Sequence, residues 1–369
     1  MTFDLQNLVR ENIRDLKPYS SARSEFAGDA EIFLDANENS FGSPAGEKHN
    51  RYPDPLQTEL KSRIAEMNDV TPSRIFVGNG SDEAIDLLFR IFCEPGRDEA
   101  IICPPTYGMY RVSADINNVR IKEVSLTQDF QLNLPTVIDA ISGSTKLIFI
   151  CSPNNPTGNL MQRETIVEIA ETFDGIVVVD EAYIHFANEP SLLSELDRLP
   201  NLVVLQTFSK AWGMAGLRVG IAFASEAIVE LMNRVKPPYN VSSIAQQAVL
   251  NALDQMARVE AWIAETLAER ERLKTTLAQL KFVEMTYPTD ANFILVKTAD
   301  ANSIYRHLIE EKIVVRNLTN IELCEGCLRI TVGTPNENEK LLEALGEFRK
   351  RKLIITNVKH YKKSTFHRP

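Results

Sequence analysis

The sequence predicts an α/β fold in which helices flank a mostly parallel sheet, followed by a smaller C-terminal unit of strands and helices. Short apolar, β-branched runs alternate with longer amphipathic patterns through the middle of the chain, as in repeated strand–helix–strand units. A helical pattern without proline or glycine then runs from Asp254 to Leu280 and connects this region to a shorter set of elements.

Six apolar runs are short enough to be buried strands of the larger sheet. In chain order they are Arg74–Val77, Ala100–Cys103, Lys146–Cys151, Ile176–Asp180, Leu202–Leu205 and Val219–Phe223. Helical patterns separate several of them, as at Ala84–Phe92 and Thr165–Thr172. After the long helix we predict a strand at Asn292–Lys297, a helix from Ser303, strands at Ile313–Arg316 and Leu328–Val332, and a final helix from Glu337.

The length of 369 residues agrees with one large domain or two unequal ones. We expect an N-terminal arm and small-domain segment at 1–40, a large domain at 41–275, a small C-terminal domain at 276–350 and a basic tail at 351–369.

The charge distribution argues against a protein that binds polyanions over a broad surface. The net charge is −10, and the eight basic residues after Glu347 have no acidic neighbour, so residues 1–348 carry −18. Such an acidic body must bind any phosphate through a local, preorganised site. The basic tail could contact nucleic acid or a membrane, but we interpret it as a solvated terminus and expect neither partner.

Cysteine content and the N-terminal pattern predict a cytoplasmic protein. Five cysteines without a secretory leader are typical of a reducing compartment. The first residues form an amphipathic pattern rather than an apolar signal core, and no apolar run approaches the ~18 residues of a membrane span. Cys324 and Cys327 form one Cys-x-x-Cys without a second pair, so we predict no metal site.

Polar groups follow two of the predicted strands. One set suits a phosphate, and the other is a carboxylate that suits a cationic ligand atom. Gly78–Glu83 offers free amides, a hydroxyl and a helix start for a phosphate, although it could also be a tight turn with Ser81 or Asp82 as N-cap. Asp180 ends the run Ile176–Val179. Without a phosphate-binding loop of the ATPase type, it either pairs with a cationic ligand atom or caps a turn.

Lys210 follows the run Leu202–Leu205 in a stretch of glycines and apolar residues. Burial there would lower the lysine pKa and make the neutral amine a nucleophile toward an aldehyde, although many lysines at strand ends are simply solvated. Ser209 and Arg218 flank Lys210 as candidate phosphate ligands, and Asp180 follows another strand.

A phosphate site, an acidic partner and a reactive lysine together are what pyridoxal phosphate requires. Tyr107 follows the Ala100–Cys103 run and could stack on the cofactor ring. Asn154 and Asn155 lie in a proline-rich turn, Ser152–Gly158, and could hydrogen-bond the ring hydroxyl. Each segment could equally be a turn or a surface aromatic.

These motifs resemble the fold-type-I pyridoxal-phosphate-dependent aminotransferases, and more narrowly the histidinol-phosphate aminotransferase family. The narrower resemblance covers about residues 5–350 and depends on Pro18–Arg23, Asp35–Asn39, Arg51–Pro55, Arg316 and Arg329. It implies a large domain with a mostly parallel seven-stranded sheet, a smaller α/β C-terminal domain, pyridoxal 5'-phosphate as cofactor and a homodimer.

The resemblance also implies a role for each matching residue. Lys210 would carry the imine to the cofactor and move the proton, and Asp180 would pair with the ring nitrogen. The remaining cofactor contacts would come from Asn155 and Tyr183 at the ring hydroxyl, Tyr107 on the ring face, Ser81, Asp82, Ser209 and Arg218 at the phosphate, and Tyr52 across the dimer interface. Asp82 is expected to act through its backbone amide, because its carboxylate would repel phosphate.

The implied reaction is a ping-pong transamination of histidinol phosphate with 2-oxoglutarate, giving imidazole acetol phosphate and glutamate. Arginine forks suit both anionic substrates, so Arg329, assisted by Arg316 and Tyr19, would bind them. An aromatic or other amino-acid aminotransferase, or a phospho-amino-acid decarboxylase, on the same fold is the alternative. A non-catalytic ligand-binding protein is disfavoured because Lys210 occurs with its whole ring-binding set.

Overall fold

The computed structural model describes residues 3–19, 32–45 and 49–348. Its larger sheet has seven strands in the order β1-β7-β6-β5-β4-β2-β3, and only β7 runs antiparallel to its neighbours. The strands are β1 Ile75–Asn79, β2 Glu99–Ile102, β3 Arg120–Glu123, β4 Thr145–Cys151, β5 Ile176–Asp180, β6 Leu202–Thr207 and β7 Val219–Phe223. The mostly parallel seven-stranded sheet is thus confirmed.

Helices cover both faces of this sheet and continue to the C-terminal end of the described chain. They are α1 Leu5–Leu8, α2 Glu11–Arg14, α3 Thr58–Asn68, α4 Ser81–Phe92, α5 Met109–Ile116, α6 Leu134–Ala140, α7 Arg163–Thr172, α8 Glu226–Val235, α9 Ser243–Leu253, α10 Met256–Ala278, α11 Ala301–Glu310 and α12 at 335–348.

Alternating side chains of the strands explain why helices must cover both faces. In β5, Val177 and Val179 belong to one buried cluster, while Ile176 and Val178 belong to the cluster on the opposite face. Successive strand residues point to opposite sides, so a strand that is apolar throughout needs cover on both. β5 is the middle strand, and Asp180 at its end is therefore surrounded by protein.

A second, smaller sheet is antiparallel throughout, with the order β10-β11-β9-β8. Its strands are β8 Val283–Thr286, β9 Phe293–Thr298, β10 Arg316–Asn317 and β11 Cys327–Thr331. A separate apolar cluster joins it to α11, α12 and the last turns of α10, through residues such as Leu273 and Leu277.

The strands that the sequence patterns did not predict lie at sheet edges. β3 and β8 have the sequences Arg-Ile-Lys-Glu and Val-Glu-Met-Thr, are not fully buried and lack an apolar run. The strand expected at Ile313–Arg316 is instead the two-residue β10. Ile313 still donates to the Leu308 carbonyl, and Lys312 has a positive φ of 62°, so the chain is leaving α11 there.

The carboxyl ends of β1, β2, β4, β5 and β6 meet at one edge of the large sheet. Because β7 runs the other way, its first residue also lies at this edge, directly after Arg218. The fold thereby brings the segments after five strands and the segment before a sixth into one place. Among the described residues, no helix has the length and apolar character needed to span a membrane.

Candidate active site

One pocket of about 250 Å³ lies at this edge of the large sheet. Ten of the thirteen residues that the sequence analysis assigned to the site line it: Ser81, Asp82, Tyr107, Asn155, Asp180, Tyr183, Ser209, Lys210, Arg218 and Arg329. Tyr19, Tyr52 and Arg316 do not line it. The pocket also contains Cys151, Ala182 and Thr207, which the sequence analysis did not assign to it.

The start of α4 forms a concavity whose geometry suits an anion. The helix begins at Ser81, and its N-cap is Gly80, which supplies no side-chain cap, so the alternative of Ser81 or Asp82 as N-cap is wrong. Within the described chain, the N–H groups of Ser81 and Asp82 donate to no acceptor. Free amides at a helix N-terminus attract phosphate.

Glycine is needed on both sides of this concavity. A Cβ on Gly220 of β7 would lie 2.1 Å from the Ser81 nitrogen and 2.4 Å from the Gly80 carbonyl carbon. Gly80 has a φ of 79°, and a Cβ there would lie 2.6 Å from Arg218 Nη2. These close approaches allow the helix start and the arginine to face the same small volume.

Arg218 completes the concavity. Its Nη2 lies 3.3 Å from Asp82 Oδ2, and its Nη1 donates to Ser209 Oγ at 3.4 Å. The Asp82 carboxylate also accepts a 3.1 Å hydrogen bond from Tyr107 Oη. The Asp82 side chain, which the sequence analysis left without a role, thus joins the candidate stacking residue to the candidate phosphate ligand.

Asp180 is a buried carboxylate that has no ion-pair partner in the described part of the chain. Tyr110 Oη donates to its Oδ2 at 2.9 Å, and the Ala182 N–H donates to its Oδ1 at 3.1 Å. No Lys or Arg of the described residues forms an ion pair with it. Burial raises the pKa of Asp180 to about 6, against the effect of these two donors. Such a carboxylate is a receptor for a positively charged ligand atom.

Lys210 lines the pocket, and its Nζ lies 5.3 Å from the centre of the Tyr183 ring. The side chain remains in contact with solvent, yet the surrounding protein atoms lower its pKa, first by desolvation and then by the nearby charge of Arg329. Asp180 acts in the opposite direction. The predicted lowering of the lysine pKa is therefore confirmed in direction and cause.

Asn155 lies across the pocket and donates from Nδ2 to Tyr183 Oη at 3.4 Å. Asn154, the other amide of this turn that could have reached the ring hydroxyl, is fully buried below the loop. Its Nδ2 donates to the Pro105 carbonyl at 2.9 Å and to Thr157 Oγ1 at 2.7 Å. Of the two amides, Asn155 lines the pocket, whereas the Asn154 amide holds the loop in shape.

Arg329 enters the pocket from the small sheet. Its Nη1 donates to Asn155 Oδ1, and its guanidinium carbon lies 5.3 Å from the centre of the Phe293 ring. Burial lowers the pKa of Arg329, and the charge of Arg316 lowers it further. Arg316 is opposite Arg329 in the β10–β11 register but is exposed and outside the pocket.

Tyr52 and Tyr19 lie away from the pocket. Tyr52 is about half exposed and stacks on Tyr239 with ring centres 4.4 Å apart. Tyr19 is 74% exposed and is the last described residue before the gap at 20–31. Arg23, which also contributed to the resemblance, lies outside the described residues.

Tyr110 is the contact that sequence reasoning missed. It is fully buried in α5, three residues after Tyr107, and it contacts Asp180 from below the pocket. Tyr107 precedes α5 and Tyr110 lies in its first turn, and their rings pack edge to face with centres 5.6 Å apart, so a second tyrosine so close to Tyr107 in the sequence was a usable signal.

The donor set of the pocket fits pyridoxal phosphate. The start of α4, Ser209 and Arg218 suit the cofactor phosphate. The buried Asp180 carboxylate suits the protonated ring nitrogen, and Asn155 and Tyr183 suit the ring hydroxyl. The amine of Lys210 faces the same volume.

Comparisons with known proteins agree with this chemistry. The family model for aminotransferase class I and II matches residues 29–345. A curated relative from Parabacteroides distasonis, named histidinol-phosphate aminotransferase, is 52% identical over 342 residues, which cover 93% of this chain and 98% of the relative.

Two solved structures have the same fold. One is the histidinol-phosphate aminotransferase from Clostridium acetobutylicum, with a TM-score of 0.76 and 24% identity over 82% of this chain and 92% of that one. The other is the enzyme of the same name from Sinorhizobium meliloti in complex with pyridoxal-5'-phosphate, with a TM-score of 0.75 and 24% identity over 85% and 89% of the two chains. The chain belongs to the class I and II aminotransferase family and, within it, to the family of histidinol-phosphate aminotransferases.

Proposed function

We propose that this protein is a pyridoxal-phosphate-dependent transaminase that transfers the amino group of L-histidinol phosphate to 2-oxoglutarate, giving imidazole acetol phosphate and glutamate in histidine biosynthesis. The observation that carries the proposal is one pocket that the Lys210 amine, the buried Asp180 carboxylate and the Arg329 guanidinium all line. The near full-length similarity to curated relatives of that name supports the choice of substrate.

The cofactor would be bound by groups on both sides of the pocket. Ser81, Ser209, Arg218 and the amide of Asp82 would bind its phosphate, Asp180 its ring nitrogen, Asn155 and Tyr183 its ring hydroxyl, and Tyr107 its ring face. When bound there, pyridoxal phosphate supplies an electron sink that accepts the electrons of a broken bond at the substrate carbon.

Lys210 would act as the acid and base of the reaction. Its lowered pKa increases the share of neutral amine near neutral pH, so its Nζ can accept the proton from the substrate carbon and return it elsewhere. Asp180 stays in place during this exchange because the Tyr110 hydroxyl and the Ala182 amide hold its two oxygens.

Arg329 would bind the anionic end of both substrates. Its planar fork pairs with either a phosphate or a carboxylate, and desolvation in the pocket strengthens the pairing. We propose that Arg316 and Tyr19 assist at the phosphate end. The position of Arg316 opposite Arg329 in the small sheet supports its part.

We also propose that the catalytic unit is a homodimer in which Tyr52 reaches the cofactor phosphate of the neighbouring subunit. Tyr52 lies outside the pocket of its own chain, and the sequence around it carries several exposed apolar side chains, namely Ile32, Leu34, Phe41 and Leu56. Apolar surface of this kind is typical of a protein interface.

A subunit-mixing experiment tests this proposal. Inactive Tyr52→Ala and Lys210→Ala proteins are unfolded together, refolded as a mixture and assayed. In a mixed dimer one site has both its own Lys210 and the tyrosine of the other subunit, so activity should return. A mixture that forms mixed dimers yet stays inactive would contradict a shared site.

The division into a large domain at 41–275 and a small one at 276–350, with 1–40 as an arm, remains a proposal. The separate apolar cluster around β8–β11 supports it. A cytoplasmic location is likewise proposed, in keeping with five cysteines that are free and buried.

The substrate is tested by comparing kcat/KM for histidinol phosphate, phenylalanine, tyrosine and threonine phosphate, with 2-oxoglutarate as acceptor. Histidinol phosphate should be preferred. Preference for phenylalanine would identify an aromatic aminotransferase, and release of carbon dioxide from threonine phosphate would identify a decarboxylase. Borohydride reduction should attach the cofactor to a peptide that contains Lys210.

A further inference from the structure

Tyr110 is the only side chain of the described residues that donates a hydrogen bond to Asp180. Its Oη lies 2.9 Å from Asp180 Oδ2, while Oδ1 accepts from the backbone of Ala182. Both residues are buried, with Tyr110 fully inaccessible and Asp180 3% exposed. A hydrogen bond to a buried carboxylate is strong because no water competes for either group.

The position of the Tyr110 hydroxyl is set by aromatic packing. The Tyr110 ring stacks on Phe149 with centres 4.9 Å apart, and Phe149 stacks on Phe89 at 5.2 Å. The rings of Tyr110 and Tyr107, the candidate stacking residue, also pack edge to face, with centres 5.6 Å apart and an interplanar angle of 86°. The hydroxyl is therefore held toward Asp180 before any ligand binds.

Tyr110 acts as a fixed donor and not as a proton carrier. Burial, followed by the charge of Asp180, raises its pKa well above the usual value for tyrosine. The hydroxyl therefore keeps its proton across the neutral range and points that proton at the carboxylate.

We propose that Tyr110 is a positioning residue that keeps the Asp180 carboxylate ionised and aimed at the ring nitrogen of the cofactor, and so keeps the proton on that nitrogen. This inference rests on the proposed function, because it takes the ring nitrogen to lie against Asp180. Without the hydroxyl, the buried carboxylate becomes more basic and holds the proton itself. The ring then withdraws electrons less strongly.

Other groups around Asp180 cannot replace this donor. Lys210, on the segment after β6, favours the ionised carboxylate only through its charge, and Asp82, on α4, opposes it. The Cys151 thiol at the end of β4 stays neutral because burial raises its pKa, and its Sγ donates to the Pro153 carbonyl instead. The phenols of Tyr107 and Tyr183 also line the pocket, but Tyr107 Oη donates to Asp82, and Tyr183 Oη accepts a hydrogen bond from Asn155.

The first test measures cofactor affinity with no amino substrate present. Pyridoxal phosphate is titrated into the full-length protein, freed of cofactor by dialysis, at several values from about pH 5 to about pH 9. The wild-type affinity should fall as the pH decreases through about 6, where Asp180 takes up a proton. In Tyr110→Phe the same fall should occur at least about one pH unit higher, as expected for the loss of a hydrogen bond to a charged group.

The matched control is Tyr305→Phe, which removes a hydroxyl from a partly buried tyrosine in the small-sheet cluster. Its pH profile and turnover should equal those of the wild type. In Tyr110→Phe, kcat should decrease roughly 10- to 100-fold while KM changes little, because the substrate does not contact Tyr110. An unchanged affinity profile in a folded Tyr110→Phe protein would overturn the inference.

A second test separates charge stabilisation from simple packing. In an Asp180→Asn background there is no carboxylate for Tyr110 to stabilise, so adding Tyr110→Phe should change cofactor affinity less than twofold by our estimate. An equal loss in both backgrounds would mean that Tyr110 only fills space, and would overturn the inference. A wild-type protein that binds no cofactor would instead refute the proposed function, and a different preferred substrate would leave the role of Tyr110 intact.

Discussion

Arg329 and Asn155 are hydrogen-bonded to each other, although one belongs to the small sheet and the other to a loop of the large sheet. Nη1 of Arg329 donates to Oδ1 of Asn155, whose Nδ2 donates to Tyr183 Oη. This chain of contacts joins the candidate substrate fork to the candidate partners of the cofactor ring hydroxyl. Substitution of Arg329 should therefore slow both half-reactions.

Arg329→Ala should reduce kcat/KM for histidinol phosphate and for glutamate alike. The guanidinium is half-buried, so loss of its pairing with either anion should cost about 2–5 kcal/mol. Arg329→Lys is the matched control, since it keeps the charge but loses the planar fork, and should recover only part of the rate. A decrease in kcat/KM for only one of the two substrates would show that Arg329 does not bind both.

Lys210→Ala should abolish turnover while the protein still folds. Removal of the group that moves the proton should reduce kcat by roughly 10²–10⁴-fold or more, because general acid–base catalysis contributes that much. Pyridoxal phosphate should still bind, since its phosphate and ring contacts come from other residues. Stopped-flow measurement of each half-reaction checks this, and wild-type rates in the variant would contradict the assignment of Lys210.

Asp180→Asn should make the cofactor-free protein more stable near neutral pH, although it removes the ring partner. Burial raises the folded-state pKa of Asp180 from 3.8 to about 6, so the ionised carboxylate destabilises the folded protein above about pH 6. The asparagine variant should gain about 1–3 kcal/mol at neutral pH, and the gain should disappear as the pH falls through 6 toward 4, where wild-type Asp180 is protonated.

Urea titrations of the two cofactor-free proteins at neutral pH and near pH 4 measure this difference. A variant that is less stable than the wild type at both pH values would show that the lost hydrogen-bond geometry outweighs the removed charge. Activity is expected to be lost in either case.

Gly220→Ala should weaken both stability and cofactor binding. The added Cβ would meet the backbone of Gly80 and Ser81, so the start of α4 has to move away from β7. We expect a loss of about 1–3 kcal/mol in the free energy of unfolding, together with weaker binding of pyridoxal phosphate. Gly216→Ala is the matched control, because a Cβ there meets no atom within 4 Å. Equal behaviour of the two variants in thermal melts and cofactor titrations would contradict the close packing at Gly220.

The strand patterns predicted the central part of the fold well because the buried strands are apolar on both faces. Three consecutive valines at 177–179 are typical of a parallel strand that is covered on both faces, and Asp180 lies at the end of this strand. The edge strands β3 and β8 escaped prediction for the opposite reason. Their charged residues face solvent, and their pairing depends on a neighbouring strand that local sequence does not reveal.

Within the site, residue type and strand-end position, together with the family resemblance that supplied Tyr183 and Arg329, predicted ten residues of one pocket. They did not predict what the neighbouring residues do. Asn154 and Asn155 are adjacent and chemically identical, yet one holds the loop from below and the other faces the pocket. Which of the two turns inward depends on the path of the loop, and this path is set by contacts with Pro105 and Thr157.

The sequence by itself determined the chemistry of this protein: a lysine, a carboxylate and phosphate-binding groups follow strands whose ends must meet, because parallel strands share one edge. Only the tertiary structure decided that Tyr110 contacts Asp180, that Arg329 reaches Asn155, and that Tyr52 lies outside its own pocket. The physical reason is that strand direction follows from local apolar patterns. Contacts between distant segments depend on how helices and sheets pack, and a difference of a few ångströms decides which side chains meet.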